Sequence, residues 1–422
     1  MKRAAVIFHR FGPYHWARLC AAAERCNILA IQEAVQSADY AWDEVGQPNA
    51  ANLQKISLLG NNERPRKPAV EIARRVRAVL KQEVPDTLFI PGWSDPAALA
   101  ALDWGLTSNV PVVIMSESTR SDEARTAAKD FLKSRVVKLC SAALVGGRPH
   151  AEYMKELGMS ADRIFTGYDA VDNDYFAAGA HRARENPAQL RTEMGLPKQY
   201  FLASARFLER KNLVALLRAY ASYRESAGRS QSSPPWSLVI LGDGPLRPTL
   251  NSHLSTLNLR GHVLLPGFKQ YDALPLYYGL ASAFVHTSLS EPWGLVVNEA
   301  LACGLPVIVS RQCGCGQDLV RDGENGFKFD ATDEHGLGKL MLRVASAPST
   351  ELTAMAKKGR KIVARWSPQN FARQFVLTGE AAHKDRTKRA GVMTSFLLRS
   401  LIRYSNAEAA RLLPSTEAVV AV

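Results

Sequence analysis

Short apolar runs alternate along this chain with longer stretches of helical period, and the alternation continues almost from end to end. That pattern predicts parallel sheets built from strand–helix–strand units. In the first half the expected strands are Ala4–Phe8, Ile28–Ile31, Thr87–Ile90, Val112–Met115, Ala142–Val145 and Arg163–Thr166, with helices such as Val70–Gln82 and Ala124–Leu139 between them. After a break at Ala177–Lys198, rich in Ala, Arg, Asn and Pro, the pattern restarts. It runs through Tyr200–Ser204, Ser237–Leu241, His262–Leu265, Ala283–His286, Val307–Val309 and Gly326–Phe329. The expected fold class is α/β: two Rossmann-like, doubly wound domains facing a cleft, with C-terminal helices. Their bounds are 1–185, 186–370 and, for the helices, 371–422. Ligands of such sheets bind beyond the carboxyl ends of the strands.

Three segments break the rhythm. Arg224–Pro235, Ser-rich and closing on Pro-Pro, reads as a surface loop. Gln36–Pro68 is polar and weakly periodic, and reads either as a lid or as a long loop. Beyond Trp366-Ser-Pro368 the pattern is helical, and Phe371, Phe375 and Val376 recur at a spacing suited to packing back on the first domain. His383–Arg389 then leads into Phe396–Arg403, a basic amphipathic stretch that suits either an anionic membrane surface or a helix docked on the body.

Composition narrows this picture. At 422 residues the chain exceeds one ordinary core, and 46% hydrophobic with 22% charged residues is that of a folded soluble protein. No apolar run reaches the roughly eighteen residues of a spanning helix. The apolar run after Met1-Lys-Arg is cut by His9 and Arg10, and reads as a first strand rather than a leader. Six irregularly spaced cysteines point to a reducing, cytoplasmic compartment, and Cys313 with Cys315 lack the second pair of a metal site. The formal charge of +13 suits a phosphorylated substrate or an anionic membrane face; no nucleic-acid motif accompanies it.

The chemistry concentrates in the second half. Glu291-Pro-Trp-Gly-Leu-Val-Val-Asn-Glu299 enters an apolar helical segment that Gly304 and Pro306 terminate. A helix whose N-terminus faces the mouth of a sheet is an anion site. Glu291 reads as a sugar-hydroxyl acceptor or a helix cap. Glu299, inside an apolar helix, needs a donor such as a ribose hydroxyl. Gly294 permits close backbone approach. Arg206 and Lys211 follow the strand Tyr200–Ser204, where fixed cations can neutralise a diphosphate leaving group without a metal.

Glu291 and Glu299 around Pro-Trp-Gly-Leu, with Arg206 and Lys211 before them, resemble the site of retaining GT-B glycosyltransferases, specifically glycosyltransferase family 4 (glycosyl transferases group 1). Leu241-Gly-Asp-Gly-Pro245, Leu265-Pro-Gly-Phe268 and Asp322-Gly-Glu-Asn-Gly-Phe327 extend the likeness. In the first half it rests on Gly12 after the first strand and on Ala170-Val-Asp172 before Tyr175-Phe176. The resemblance implies a metal-independent hexosyltransferase with no cofactor. Its substrate is a nucleotide-diphosphate sugar, and its acceptor a glycan or a lipid-linked glycan. It also implies retention by front-face attack, with a donor phosphate oxygen taking the acceptor's proton. The setting would be surface-polysaccharide synthesis in the cytoplasm or at the inner face of the plasma membrane. It further implies that Arg206 and Lys211 bind the diphosphate, Glu299 the ribose and Glu291 the donor sugar. Gly294, Leu295 and Val296 would line the phosphate or sugar, Gly267 and Phe268 the base, and Gly12 the donor.

Two departures stand out. Many family members carry a histidine after the strand here represented by Val112–Met115, where this chain has Ser116-Glu117-Ser118, so Glu117 is the candidate replacement at the reaction centre. Ala170 stands where Gly is usual. Asp172-Asn-Asp174 has the spelling of a metal-binding Asp-x-Asp, but lies at the expected domain junction rather than at the end of a strand within one domain. A sugar-nucleotide epimerase of the same fold and a non-catalytic sugar-nucleotide-binding protein are the alternatives.

Overall fold

The computed structural model describes residues 1–34, 42–45, 51–60, 68–93, 95–122, 126–230, 234–384, 394 and 397–402. It divides into two units: Met1–Ala170 with the residues from Pro368 onward, and Val171–Ser367.

The first unit holds a parallel sheet of β1 (Arg3–Phe8), β2 (Asn27–Gln32), β3 (Leu53–Ser57), β4 (Thr87–Pro91), β5 (Val112–Ser116), β6 (Ala142–Val145) and β7 (Ile164–Thr166). The strand order is β3-β2-β1-β4-β5-β6-β7. β4 to β6 are apolar and buried, as strands covered on both faces must be. β3 lies inside the segment expected to be a lid or loop. It is an edge strand whose side chains are mostly exposed or half-buried, so it lacks the apolar run that marks its neighbours. The helix Pro368–Lys384 covers one face: Phe375 stacks on Phe89 with ring centroids 3.8 Å apart, and Phe371, Ala372 and Ala382 join the same core. Such a ring pair adds about 0.5–1.5 kcal/mol beyond its buried area. Leu398 and Ile402 are buried in the core on the other face, and Arg399 Nε lies 3.7 Å from Asp103 Oδ2. Those apolar side chains of the basic stretch therefore pack within the unit. Residues 385–393, Phe396 and Arg403 lie outside the described residues.

The second unit holds β8 (Tyr200–Ser204), β9 (Ser237–Leu241), β10 (Val263–Gly267), β11 (Ala283–His286), β12 (Val307–Ser310) and β13 (Gly326–Phe329). This sheet is also parallel, in the order β10-β9-β8-β11-β12-β13. The helix Asn173–Glu185 overlaps the break expected at Ala177–Lys198 and, although it falls within the expected bounds of the first domain, groups with this unit. Its buried Phe176, Ala180 and Ala183 face the helix Leu274–Leu280, and a Cβ on Gly279 would come within 2.8 Å of Ala180 Cα. Asp172 caps the helix by accepting from the Tyr175 N–H at 2.9 Å. The Asp-x-Asp spelling is thus the start of a helix, and the cap is worth about 1 kcal/mol.

Each sheet reverses its strand order once, between β1 and β4 and between β8 and β11. Those reversals open crevices at the carboxyl ends of the strands.

Candidate functional site

In the second unit, β8 and β11 lie side by side and bring together residues eighty positions apart. β8 gives way to Ala205 and Arg206, and a 3-10 turn at Glu209–Lys211 ends on Asn212 in the left-handed region. That turn aims the Lys211 ammonium at the Glu291 carboxylate, with which it forms a close ion pair. The Glu291 carboxylate also accepts from the Ser288 hydroxyl at 3.1 Å and lies 3.4 Å from His286 Nε2. Arg210 Nη1 is 3.8 Å from its other oxygen. A small hollow lined by Ser204, Ala205, Lys211, His286 and Thr287 sits at this reversal point.

The electrostatics are those of a buried charge cluster. Burial works against charge on Glu291, but His286 and Lys211 outweigh it and hold the carboxyl well below its ordinary range. Burial likewise opposes the imidazolium of His286, yet its hydrogen bond to Cys313 and the Glu291 carboxylate push it up to about 9. His286 is therefore a cation at neutral pH.

Gly294 is the hinge between this cluster and the helix Leu295–Ala302. Its φ is +100°, and a Cβ there would stand 2.7 Å from Cys313 Sγ and 3.4 Å from Glu291 Cγ. The loop after β12 clamps the segment: Gly314 N–H donates to the Glu291 carbonyl (2.9 Å) and Cys315 N–H to that of Trp293 (3.1 Å). Trp293 is buried and donates to Asn298 Oδ1 at 2.9 Å. The first turn of the helix at Leu295 and Val296 presents backbone N–H groups, the ordinary means of holding an anion. Glu299, in the next turn, is fully buried. Burial and the Glu299 charge together push the Tyr278 phenol well up, and Tyr278 also meets Ser204 at the end of β8.

The remaining expected residues of this unit lie at the carboxyl ends of β8, β9 and β10. Gly242 and Gly244 both have positive φ, and a Cβ on either would strike the backbone of Ala205 or Phe207. The Leu241-Gly-Asp-Gly-Pro245 segment therefore shapes the turn that carries Arg206; Phe207 N–H donates to the Asp243 carbonyl at 2.8 Å. Gly267 ends β10 at φ +86°, and Phe268 beside it is exposed. No motif or local spacing gives His286, Ser288 or Cys313 a role. His286 and Ser288 reach Glu291 from the end of β11 a few positions away, whereas Lys211 and Cys313 join through the strand order β8-β11-β12, which periodicity does not encode.

Glu117 and Gly12 belong to the first unit. Glu117 lies beside Asp169, whose carboxyl is pushed well above its ordinary value by burial and then by Glu117, against the pull of Arg18. Arg18 is buried, donates to the Tyr168 carbonyl at 2.7 Å and lies 4.5 Å over the Tyr168 ring. Gly12 caps the helix Pro13–Ala23 with φ −97°, and a Cβ there would meet nothing nearer than 3.9 Å. The fold of the unit does not demand glycine at that position.

These features define a two-Rossmann fold with a polar, cation-bearing reversal point in the second sheet. Residues 189–362 match the family described as Glycosyl transferases group 1. Among curated proteins, the chain is 30% identical over 166 residues to alpha-monoglucosyldiacylglycerol synthase of Acholeplasma laidlawii, covering 39% of each. It is 32% identical over 160 residues to the lipopolysaccharide core biosynthesis glycosyltransferase LpsE of Rhizobium meliloti (38% of this chain, 43% of that one). With the GDP-mannose-dependent alpha-(1-6)-phosphatidylinositol monomannoside mannosyltransferase of Mycolicibacterium smegmatis it shares 30% over 209 residues, 48% and 50% of the two chains. The matches thus span half or less of these relatives' length. Among solved structures, Anabaena Alr3699/HepE in complex with UDP superposes with a TM-score of 0.67 at 17% identity, over 90% of this chain and 100% of that one. Sucrose-phosphate synthase of Thermosynechococcus elongatus gives 0.71 at 17% identity, over 91% and 100%. The fold is GT-B.

Proposed function

We propose that this chain is a retaining, family 4 glycosyltransferase that moves a hexosyl group from a nucleoside-diphosphate sugar to a glycan or lipid-linked acceptor. The observation that carries the reading is the Lys211–Glu291–His286–Ser288 cluster at the β8/β11 reversal, beside the N-terminus of the helix Leu295–Ala302. In this reading Arg206 and Lys211 take the diphosphate, and the N–H groups of Leu295 and Val296 add dipoles where charge develops on the leaving group. Lys211 is already paired with Glu291, so donor binding turns an ion pair into a three-way contact among ammonium, diphosphate and the carboxylate that accepts sugar hydroxyls. Fixed cations do the work of a metal, and the reaction needs no cofactor. Glu299 accepts ribose hydroxyls, and Gly267–Phe268 faces the base. Glu117 stands in for the histidine of related enzymes.

Support for a lipid or glycan acceptor comes from the relatives, whose names speak of monoglucosyldiacylglycerol synthesis, phosphatidylinositol monomannoside and lipopolysaccharide core biosynthesis. The charge of +13 suits work at an anionic membrane surface, and the place in surface-polysaccharide synthesis rests on the family resemblance. Among the described residues no helix is long and apolar enough to cross a membrane. The test is a screen of UDP- and GDP-sugars for nucleotide release, with and without glycan and lipid acceptors. Acceptor-dependent release with an unchanged anomeric configuration supports the reading. Conversion of the donor alone would make the protein an epimerase, and binding without turnover a carrier.

A further inference from the structure

A second cluster of chemistry-bearing side chains lies in the first unit, at the other reversal point. His9 follows β1, Glu33 follows β2, and Asp95 precedes the helix Pro96–Ser108 after β4. One ligand atom from each of the three lies within 4.8 Å of the other two. His9 Nδ1 is 3.0 Å from Glu33 Oε2. Glu33 is only 7% exposed, and its Oε1 is buried with no hydrogen-bond partner. The frame is rigid: Glu33 N–H donates to the Phe8 carbonyl and Ala34 N–H to the His9 carbonyl, both at 3.1 Å. Asp95 Oδ1 accepts from the N–H groups of Ala97 (2.8 Å) and Ala98 (3.1 Å), which fixes its carboxylate.

We propose that His9, Glu33 and Asp95 form a divalent transition-metal site at the β1/β4 reversal. A buried carboxyl (Glu33) and a half-buried one (Asp95) this close cannot both ionise unless a cation or a proton lies between them. An imidazole and two carboxylates are a donor set for zinc, manganese or cobalt rather than for magnesium or calcium, which prefer oxygen alone. The half-exposed His9 ring leaves a route from solvent. Three protein ligands also leave a coordination position for water or for a hydroxyl of a ligand in that crevice. The site uses none of the residues assigned to the donor, so it stands or falls independently of the reading above.

The test uses the untagged full chain and Co2+ alone, followed by visible absorption. Wild type is expected to bind one equivalent with ligand-field bands, and His9→Ala and Glu33→Gln to weaken binding by at least about tenfold. His9 is half-exposed, so its replacement leaves the core intact and keeps the test decisive should Glu33→Gln fold poorly. Absence of Co2+ binding at millimolar metal, or affinity unchanged in His9→Ala, would overturn the assignment.

Discussion

Replacing Glu291 by Gln removes the carboxylate that Lys211, Arg210 and His286 share. The Lys211 and Glu291 side chains are each 11% exposed and that of His286 only 3%, so solvent screens the cluster little. Removing one partner of a buried ion pair costs about 3–5 kcal/mol, because the other charge is left uncompensated. The pH dependence has a definite sign. His286 rises from 6.5 to about 9 in the fold, so its contribution is complete below 6.5 and is lost as pH climbs through 9. That shift is worth at most about 3 kcal/mol, shared between Glu291 and Cys313. Glu291 is depressed below 4.5, so its contribution is present above that value and lost only in acid. Wild type should therefore weaken between pH 6.5 and 9. Glu291→Gln should start lower at neutral pH and lose less over the same interval. Urea unfolding read by pulse proteolysis of second-unit peptides gives the stabilities, and NMR of the His286 ring gives its titration. A variant within about 1 kcal/mol of wild type at pH 7, with His286 still titrating near 9, would refute this electrostatic account.

Other outcomes follow from the same geometry. Gly294→Ala places a methyl group 2.7 Å from Cys313 Sγ at a φ of +100°, and should cost about 1–3 kcal/mol in overpacking plus about 1–2 for the backbone. Adding Cys313→Ala should recover the overpacking share alone, as thermal unfolding of the single and double variants will show. Glu299→Ala should weaken UDP or GDP binding by calorimetry at least about tenfold, in keeping with loss of a charged hydrogen bond of about 1.5–3 kcal/mol; unchanged affinity would remove Glu299 from the ribose site. Co-sedimentation with phosphatidylglycerol vesicles should fall steeply with salt and vanish on phosphatidylcholine alone. Equal binding to both would exclude an electrostatic membrane contact.

Much of the fold is legible in the sequence because buried parallel strands must be apolar throughout. Val112–Met115 and Val307–Val309 show that plainly. β3 escapes because Gln54 and Lys55 sit on an edge strand, where only part of each residue is buried. The helix Asn173–Glu185 escapes because it lies across the stretch rich in Ala, Arg, Asn and Pro that reads as a break, and only the contact of Ala180 with Gly279 shows which unit it serves. Lys211 and Glu291 are readable as chemistry from their flanking strand end and helix start. His286 and Ser288 reach Glu291 from the adjacent end of β11, while the pairing of Lys211 with Glu291, and the addition of Cys313, depends on β11 lying between β8 and β12. The same holds for His9, Glu33 and Asp95, which no local spacing connects.

The donor site is tested most directly by measuring nucleotide release from UDP-glucose and GDP-mannose with a lipid-linked glycan acceptor, in wild type and Lys211→Ala side by side. Wild type should release nucleotide in proportion to sugar transferred. Lys211→Ala should lose about a hundredfold or more in rate, the scale set by removing one preorganised charge at a leaving group. Equal rates in the two proteins, or nucleotide binding that Lys211→Ala leaves untouched, would contradict a donor diphosphate held by Lys211.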